Sequence, residues 1–324
     1  MNKAKSGARK RVVFAEGEES KVIRAAAQAQ DEGIAQPILL GRRDHIMRTI
    51  EQLGLRFQPE IIDPYDPGQR ERYQGDLHEL RQRRGVTLYR ARTLLRDRNY
   101  FGPMMLYRGD ADAFISGISY EYPDVVRPAL QIFHTRPGAL RASGTYLVIV
   151  KGRVYLFTDA TVNIDPDAAT LCEIAILAAD FAKTLDIEPK VAMLSFSNFG
   201  STPHPLSHKV REAVERVRAK RPDICVDGEM QADAAVVPEL IESRYPFSQV
   251  KDANILVFPD LGSANVSYKL LKRLGGAQTI GPILLGVGAP IHVLQAGDDV
   301  EDIVAMTAVA VMDAQSREGE TRRK

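Results

Sequence analysis

The hydrophobic and polar positions of the chain alternate between short β-rich runs and longer helical patterns from residue 12 onward. RVVFAEG predicts a strand, and EESKVIRAAAQAQDEG predicts the helix that follows it and ends at Gly33. IAQPILLG and RRDHIMRTIEQLG repeat this order, with Asp44 as the expected N-cap of the second helix. The alternation predicts an α/β protein with a largely parallel sheet.

A second pattern begins near residue 140. TYLVIVKGRVYLFTDATV predicts two strands joined by a hairpin at Lys151 and Gly152, and a long apolar helix is expected from Asp167 to about Thr184. Four more strand candidates follow, namely KVAMLSFS, ICVDGE, NILVFPD and IGPILLGV. We therefore expect one unit before residue 140 and another up to residue 285, and the pattern alone assigns the last helix to neither.

Composition narrows the class of protein. The 324 residues include 43 Lys and Arg against 42 Asp and Glu, so the overall charge does not suggest a nucleic-acid partner. Cys172 and Cys225 lie in apolar patterns typical of buried, reduced thiols. No run reaches the ~18–20 apolar residues of a membrane span and no signal peptide is recognisable, so we expect a cytoplasmic protein without membrane contact. The basic residues 1–11 predict a disordered tail or the remnant of a linker.

The loop SFSNFGSTPHPLSHKV follows a predicted strand and is the most promising anion site in the pattern. Its small and polar residues could present backbone N–H groups and hydroxyls to a phosphate. It is not a Walker loop, because the glycine spacing and the Lys-Ser/Thr ending are missing. The candidate binding residues are Ser197, Asn198, Gly200 and Ser201.

Two arginines are further candidates for binding an anion. Arg81 lies where a predicted helix passes into a loop, and Arg127 lies in a helix just after a strand end. The planar guanidinium suits phosphate and carboxylate groups. Other chemistries find no support, because HExxH, GxSxG and GxGxxG are all absent and the histidines lack a metal-ligand spacing.

The stretch PIHVLQAGDDVEDIV predicts a strand, a short loop and the N-terminus of a helix. Such a loop often binds anions through backbone N–H groups that have no partner in the helix. Here it contains only Gln295, Ala296 and Gly297, without a hydroxyl or a cationic side chain. The pattern alone leaves open whether this is the active-site loop of an enzyme or a loop that has lost that role.

Several segments together resemble phosphate acetyltransferases. They include AEGEESKVIRAA, HELRQRRGVT, DGEMQADAAVVPE, NILVFPDLGSANVSYKLLKRLGG and IGPILLGVGAPIHVL. The resemblance implies a three-layer αβα subunit of two lobes, like that of isocitrate and isopropylmalate dehydrogenases, with acetyl-CoA in the cleft between the lobes. It also implies that the C-terminal helix closes the first lobe, so the lobes would be residues 12–140 with 286–324, and 141–285.

The chain departs from that family's pattern at two positions. The resemblance places Gln295 where the family has its catalytic serine and Ala296 where it has an arginine, whereas Asp302, Arg81 and Arg127 match family residues. Loss of a hydroxyl and a guanidinium directed at reacting charges could remove roughly 2–4 kcal/mol each. The resemblance therefore implies no catalytic residue at 295 or 296, with Gln295 and Asp302 kept as part of an acetyl-CoA or phosphate site.

Three segments, SFSNFGST, PIHVL and RNYFGPMM, resemble the C-terminal domain of large bacterial NADP-dependent malic enzymes. That resemblance implies a non-catalytic domain that binds acetyl-CoA as an allosteric effector, forms a homodimer through the second lobe and supports an oligomer with an N-terminal malic enzyme domain. NADP and a divalent metal would belong to that other domain, which decarboxylates malate to pyruvate, and no cofactor is expected in this chain.

Two other interpretations remain open at this point. The chain could be an active phosphate acetyltransferase with altered site residues, in which case restoring serine and arginine should change its activity only modestly. It could also be a purely structural dimerisation module, which would show no stabilisation by coenzyme A. The first interpretation, the regulatory domain, is the one that the departures at residues 295 and 296 favour.

Overall fold

The computed structural model describes residues 1–321. The chain divides into two compact units, with unit 1 formed by Met1–Arg136 and the segment from Val287 onward, and unit 2 formed by Pro137–Gly286. The sequence predicted the boundaries between the two lobes after residues 140 and 285, and the structure has them after residues 136 and 286. Residues 322–324 of the predicted first lobe lie outside the described residues. Each unit has its own sheet.

Unit 1 is built on a five-stranded, wholly parallel sheet of order β11-β4-β1-β2-β3. Its central strands are short apolar runs buried on both faces, as a parallel sheet covered by helices requires. The strands are β1 Lys10–Phe14, β2 Ala35–Leu40, β3 Glu60–Ile62, β4 Ala113–Ser116 and β11 Ile291–Val293. The helices are α1 Asn2–Ser6, α2 Ser20–Asp31, α3 Arg43–Gln52, α4 Pro67–Arg81, α5 Leu88–Leu94, α6 Arg98–Arg108, α7 Tyr122–Phe133 and α13 Val300–Thr321, with a 3₁₀ turn at Gln82–Arg84.

The C-terminal helix α13 belongs to unit 1, where it packs against α2, β1 and β4. His292 of β11 is fully buried, and its Nε2 lies 3.3 Å from Oδ2 of Asp313 on α13. Arg317 donates to Asp313 Oδ1 at 2.7 Å and to the carbonyl oxygen of Val287 at 3.0 Å. These polar contacts fix the helix against the strand that leads into the loop at residues 294–299.

The prediction of a disordered tail or linker at residues 1–11 differs from the structure. Asn2–Ser6 forms a short helix whose Ala4 is buried, and Gln315 of α13 donates to the carbonyl oxygens of Ala4 and Ala8. Strand β1 then begins at Lys10, whose buried ammonium pairs with Glu318. The contacts come from a helix about 300 residues later in the chain, so local composition could not indicate them.

Unit 2 contains a mixed six-stranded sheet of order β10-β5-β6-β9-β7-β8, antiparallel at β10-β5-β6 and parallel beyond. The predicted hairpin at Lys151 and Gly152 is confirmed, with both residues at positive φ between β5 and β6. The strands are β5 Ser143–Val150, β6 Arg153–Thr158, β7 Lys190–Leu194, β8 Cys225–Met230, β9 Ile255–Val257 and β10 Gln278–Leu285. The helices are α8 Ala168–Thr184, α9 Pro205–Lys220, α10 Ala232–Val236, α11 Pro238–Arg244 and α12 Leu261–Leu274.

The α/β class predicted from the sequence is confirmed, and the long apolar helix begins after Asp167 as expected. Thr87 caps α5 by accepting from Arg90 N, and Asp167 caps the long apolar helix α8. Asp44 was expected to cap α3 and does not, because the helix begins earlier with Arg42 as its N-cap. Asp44 instead lies in the first turn, where its negative charge interacts favourably with the positive end of the helix dipole.

Candidate functional site

The loop at residues 294–299 is closed by a reciprocal pair of hydrogen bonds. Gln295 N donates to Asp298 Oδ2 at 2.8 Å, and Asp298 N donates to the carbonyl oxygen of Gln295 at 2.9 Å. Lys21 of α2 donates to the carbonyl oxygen of Asp298 at 3.0 Å. Gln295 is half-buried, whereas Ala296 and Gly297 are exposed at the tip. The loop is therefore a compact turn that presents residues 295–297 ahead of α13.

Asp302, the predicted counterpart of a family site residue, completes a capping box at the start of α13. Asp302 N donates to Asp299 Oδ1 at 2.9 Å, and Asp299 N donates to Asp302 Oδ2 at 3.3 Å. Each carboxylate satisfies an N–H group that has no partner within the helix. The contacts of Asp302 thus fix the backbone where the loop passes into α13. Its role at an acetyl-CoA or phosphate site stays a prediction.

Glu16 joins the end of β1 to the loop after β4, the strand that pairs with β11. Its carboxylate is almost fully buried at the end of β1 and accepts from Gly117 N at 2.8 Å and Ser119 N at 3.2 Å. Burial raises the pKa of the Glu16 carboxyl above its usual range, and these N–H donors act against the rise. The carbonyl oxygen of Ser116 accepts from Leu294 N at 2.7 Å, so the ends of β1, β4 and β11 are joined where the 294–299 loop begins.

The structure brings the two predicted arginines together in unit 1. Arg81 ends α4, and its Nη1 lies 3.5 Å from the carbonyl oxygen of Gln131 on α7. Arg127 is exposed one helical turn before Gln131. Tyr100 Oη donates to Gln131 Oε1 at 2.8 Å; burial raises the pKa of this phenol, and the charges of Arg81 and Arg127 oppose the rise.

The hydrogen-bonding capacity of the Arg81 guanidinium is only partly used. Arg81 Nε is buried and has no hydrogen-bond partner among the residues that the structure describes. A buried donor without a partner costs ~1–3 kcal/mol. The binding of acetyl-CoA or phosphate by Arg81 and Arg127 stays a prediction.

The predicted phosphate loop in unit 2 already surrounds an anion from the protein itself. Glu229, at the end of β8, has 0% exposed surface. Its Oε1 accepts from Gly200 N at 2.7 Å and from Ser197 Oγ at 3.1 Å. Arg211 of α9 donates to both carboxylate oxygens at 3.1 Å. Burial would raise the pKa of Glu229, but the Arg211 guanidinium and Gly200 N–H outweigh it and hold the pKa below its usual range.

The other polar groups of this loop are also bonded internally. Asn198 and Gln231 exchange two hydrogen bonds, Nδ2 to Oε1 at 2.9 Å and Gln231 N to Asn198 Oδ1 at 2.8 Å. Ser201 Oγ accepts from Asn198 N at 3.0 Å. The candidates Ser197, Asn198, Gly200 and Ser201 thus form a fixed loop whose inward donors serve Glu229, and their binding of acetyl-CoA or phosphate stays a prediction.

Glu16, Tyr100 and Glu229 were missed by the reasoning from sequence. Glu229 gave the clearest signal, since a charged residue interrupts the apolar strand CVDGEM. A buried carboxylate needs several donors, but the sequence does not show that Ser197 and Gly200 supply them. The contacts span about 30 residues and exist only because β7 pairs with β8.

Two structural features are absent from residues 1–321. No group of three or more His, Cys, Asp or Glu side chains in that part of the chain could hold a metal ion. None of its helices combines the length and the apolar character that crossing a bilayer requires.

We predict that Glu229→Gln loosens the 197–202 loop and lowers the free energy of unfolding by about 1–3 kcal/mol at pH 7, because it removes the charge that Arg211 and Gly200 N–H stabilise. Amide exchange at Gly200 should become faster. Since the folded pKa of Glu229 lies below the unfolded value of about 4.3, its contribution exists above that pH and is lost as the pH falls. The difference between variant and wild type should therefore shrink below about pH 4.

Glu242→Gln, at an exposed position of α11 in the same unit, is the matched control and should change the unfolding free energy by less than about 0.5 kcal/mol. Equal effects of the two substitutions, or a Glu229 effect that does not depend on pH, would show that the carboxylate does not hold the loop.

Comparison with known proteins adds three findings. The family described as Phosphate acetyl/butaryl transferase matches residues 1–311. A phosphate acetyltransferase of Thermoanaerobacterium thermosaccharolyticum is 43% identical over 323 residues, which cover 97% of this chain and 98% of that protein. The crystal structure of a phosphotransacetylase from Streptococcus pyogenes superposes with a TM-score of 0.91 at 41% identity, covering 97% of each chain.

A relative of different length is also similar. The NADP-dependent malic enzyme of Escherichia coli is 39% identical over 316 residues, which cover 95% of this chain but 42% of that enzyme. The relatives that match this chain from end to end are therefore the phosphate acetyltransferases, and the malic enzyme contains a region of the same kind.

Proposed function

The chain belongs to the phosphate acetyl/butaryl transferase family, and we propose that it is an active phosphate acetyltransferase, which moves an acetyl group between coenzyme A and inorganic phosphate. The observation that supports this most directly is the end-to-end match, at 43% identity, to a phosphate acetyltransferase of the same length. The fold agreement with a phosphotransacetylase over 97% of both chains supports it further.

This corrects the interpretation that the departures at residues 295 and 296 favoured. The chain was expected to be a non-catalytic regulatory domain of a malic enzyme, and that expectation is wrong, because the relatives it matches over their whole length are phosphate acetyltransferases. NADP and oxidoreductase chemistry find no support for this chain either.

The reaction requires two kinds of electrostatic help. A phosphate oxygen attacks the thioester carbonyl carbon of acetyl-CoA, the C–O bond forms, the C–S bond breaks, and the thiolate of coenzyme A takes up a proton. The phosphate dianion must be bound by positive groups that offset its charge and hold it next to the carbonyl carbon. The oxyanion that forms at the carbonyl must also be stabilised. Arg81 and Arg127 are suited to the first task, because guanidinium groups bind phosphate through paired N–H donors.

Gln295 is suited to the second task. Its side-chain amide has two N–H donors, and such amides stabilise oxyanions in other enzymes. A side-chain amide is neither protonated nor deprotonated near neutral pH, so Gln295 would act only as a hydrogen-bond donor and not as an acid or base. The backbone N–H of Gln295 donates to Asp298, and Lys21 holds the carbonyl oxygen of Asp298, so the backbone that carries this side chain is held in place.

We predict that Arg127→Ala lowers kcat/KM for acetyl phosphate by about 10²-fold, because a charge-assisted contact to the phosphate is lost. Arg127→Lys should recover only part of this loss, because an ammonium cannot make the paired contact. Initial rates of acetyl-CoA formation from acetyl phosphate and coenzyme A measure both. Arg48→Ala, an exposed arginine on α3, is the control, and a loss in Arg127→Ala no larger than in the control would contradict the assignment.

The role of Gln295 is tested by two variants. Gln295→Ala should lower kcat by about 10²-fold with little change in KM, since the contact would strengthen in the transition state. The double variant Gln295→Ser with Ala296→Arg should stay within about tenfold of the wild type. Full activity in Gln295→Ala would remove the amide from the mechanism, and an increase of several orders of magnitude in the double variant would mean that the native loop is deficient.

We also propose that the chain forms a homodimer through unit 2. Helix α12 is apolar on two faces: Tyr268 stacks on Tyr146 in the core with ring centroids 4.1 Å apart. The opposite face has Val266, Leu270 and Leu274 at i, i+4 and i+8, exposed by 57%, 52% and 83%. A straight stripe on one helix can pack against its own copy about a two-fold axis, which makes a second copy of this chain the fitting partner.

Leu270→Lys should therefore convert the dimer to a monomer at micromolar concentration, because it places an unpaired charge in the centre of an apolar interface. Light scattering during gel filtration measures the mass. Leu206→Lys is the matched control, since Leu206 of α9 is also a leucine of unit 2 and is 51% exposed. A dimer that survives Leu270→Lys, or a wild type that is monomeric, would contradict this interface.

A further inference from the structure

We propose that His292 is a positioning residue for the acetyl transfer, which fixes strand β11 against helix α13 and so holds the Gln295 amide in place between them. The inference rests on the proposed function, in which Gln295 stabilises the oxyanion. It adds a residue to which neither the sequence pattern nor the resemblance gave a role.

His292 connects the strand and the helix that flank the 294–299 loop. It is the middle residue of β11, where it pairs with Ile115 of β4, and its side chain is fully buried. Its Nε2 lies 3.3 Å from Oδ2 of Asp313, a residue past the middle of α13. The contact therefore joins the two elements between which the loop runs.

The imidazole costs folding free energy at this position. Among the described residues neither ring nitrogen has a partner with hydrogen-bond geometry, so His292 and Asp313 interact at ion-pair distance only. A buried polar group without full pairing is less favourable than an apolar side chain of similar size. Departures from what folding favours are expected at functional sites. The stability of the fold thus does not explain why His292 is present.

Asp313 has a second partner and does not depend on His292. Arg317, one helical turn further along α13, donates to Oδ1 of Asp313 at 2.7 Å and to Oδ2 at 3.1 Å. Burial would raise the pKa of the Asp313 carboxyl, but the charge of Arg317 outweighs it and holds the pKa below its usual range, with His292 acting in the same direction. A substitution of His292 therefore leaves no buried charge without a partner.

The strand carries the effect of this contact to Gln295. Leu294 follows β11 directly, and its N–H donates to the carbonyl oxygen of Ser116 at 2.7 Å. Gln295 comes next, before the short turn into α13. The position of its side chain therefore depends on how β11 and α13 lie relative to each other. Because His292 is buried and three residues away, it acts through Gln295 and does not touch the substrate.

A double-substitution experiment tests whether His292 acts through Gln295. We expect His292→Leu to lower kcat for acetyl-CoA formation about tenfold, with KM for acetyl phosphate within about twofold, because the amide contact strengthens in the transition state. In the Gln295→Ala background His292→Leu should change kcat by less than about twofold, since no amide is left to position. His292→Gln, whose amide nitrogen can take the place of Nε2, should stay within about threefold of the wild type.

Gln315→Leu is the matched control. Gln315 lies on the same helix two residues after Asp313, and it donates to the carbonyl oxygens of Ala4 and Ala8 in the N-terminal segment. Its substitution should leave kcat within about twofold of the wild type. His292→Leu should have an unfolding temperature equal to or above that of the wild type, because an apolar side chain replaces an incompletely paired polar one.

Three kinetic results would overturn the inference: wild-type kcat in His292→Leu, a tenfold loss that persists in the Gln295→Ala background, or a loss that appears only together with a lower unfolding temperature. If His292→Leu does not fold, Asp313→Asn replaces it in the same comparison, because it removes the charge that His292 faces and keeps the size of the side chain.

Amide exchange keeps the inference separate from the proposed reaction. If the wild type has no turnover, exchange at Ala296 and Gly297 should still be faster in His292→Leu than in Gln315→Leu, because the loop has lost its fixed anchor. Equal exchange rates in the two variants would overturn the role of His292.

Discussion

The buried carboxylate of Glu16 is the contact on which the arrangement in unit 1 depends. By accepting N–H groups from the loop after β4 it joins the end of β1 to the end of β4, and Ser116 continues this connection to β11. The polypeptide at residues 294–299 therefore starts from a fixed point. The C-terminal helix then holds it from the other side through Asp299 and Asp302.

Unit 2 also has a buried carboxylate at a strand end, but there an arginine lies beside it. Glu229 also lies at a strand end and also accepts backbone N–H groups from a neighbouring loop, but Arg211 is beside it. The cation explains why the pKa of Glu229 is lowered whereas that of Glu16, without such a partner, is raised by burial. In both units a buried carboxylate accepts hydrogen bonds from the backbone N–H groups of a neighbouring loop. Because those N–H groups are already bonded, we expect a substrate anion to bind guanidinium groups instead.

The sequence predicted those parts of the fold that local patterns determine. The hairpin at Lys151 and Gly152 and the apolar helix after Asp167 each depend on residues within one or two turns. Asp302 could also have been recognised as part of a capping box, since Asp299 stands three residues before it at the start of an apolar run.

What the sequence could not show depends on contacts between distant segments. The helix at the N-terminus is held by Gln315, and the loop at Gly200 by Glu229. The functional error had another cause. Gln295 lacks the hydroxyl of the family's serine but has two amide donors, and the match to a phosphate acetyltransferase runs over 97% of the chain.

Phosphate-dependent cleavage of acetyl-CoA by the wild-type chain tests the central claim most directly. Thiol release and acetyl phosphate formation are followed together, with and without inorganic phosphate, in a sample shown to be folded. The account predicts equal amounts of free thiol and acetyl phosphate, formed over many turnovers and only when phosphate is present. Absence of turnover, or thiol release that is independent of phosphate, would contradict it.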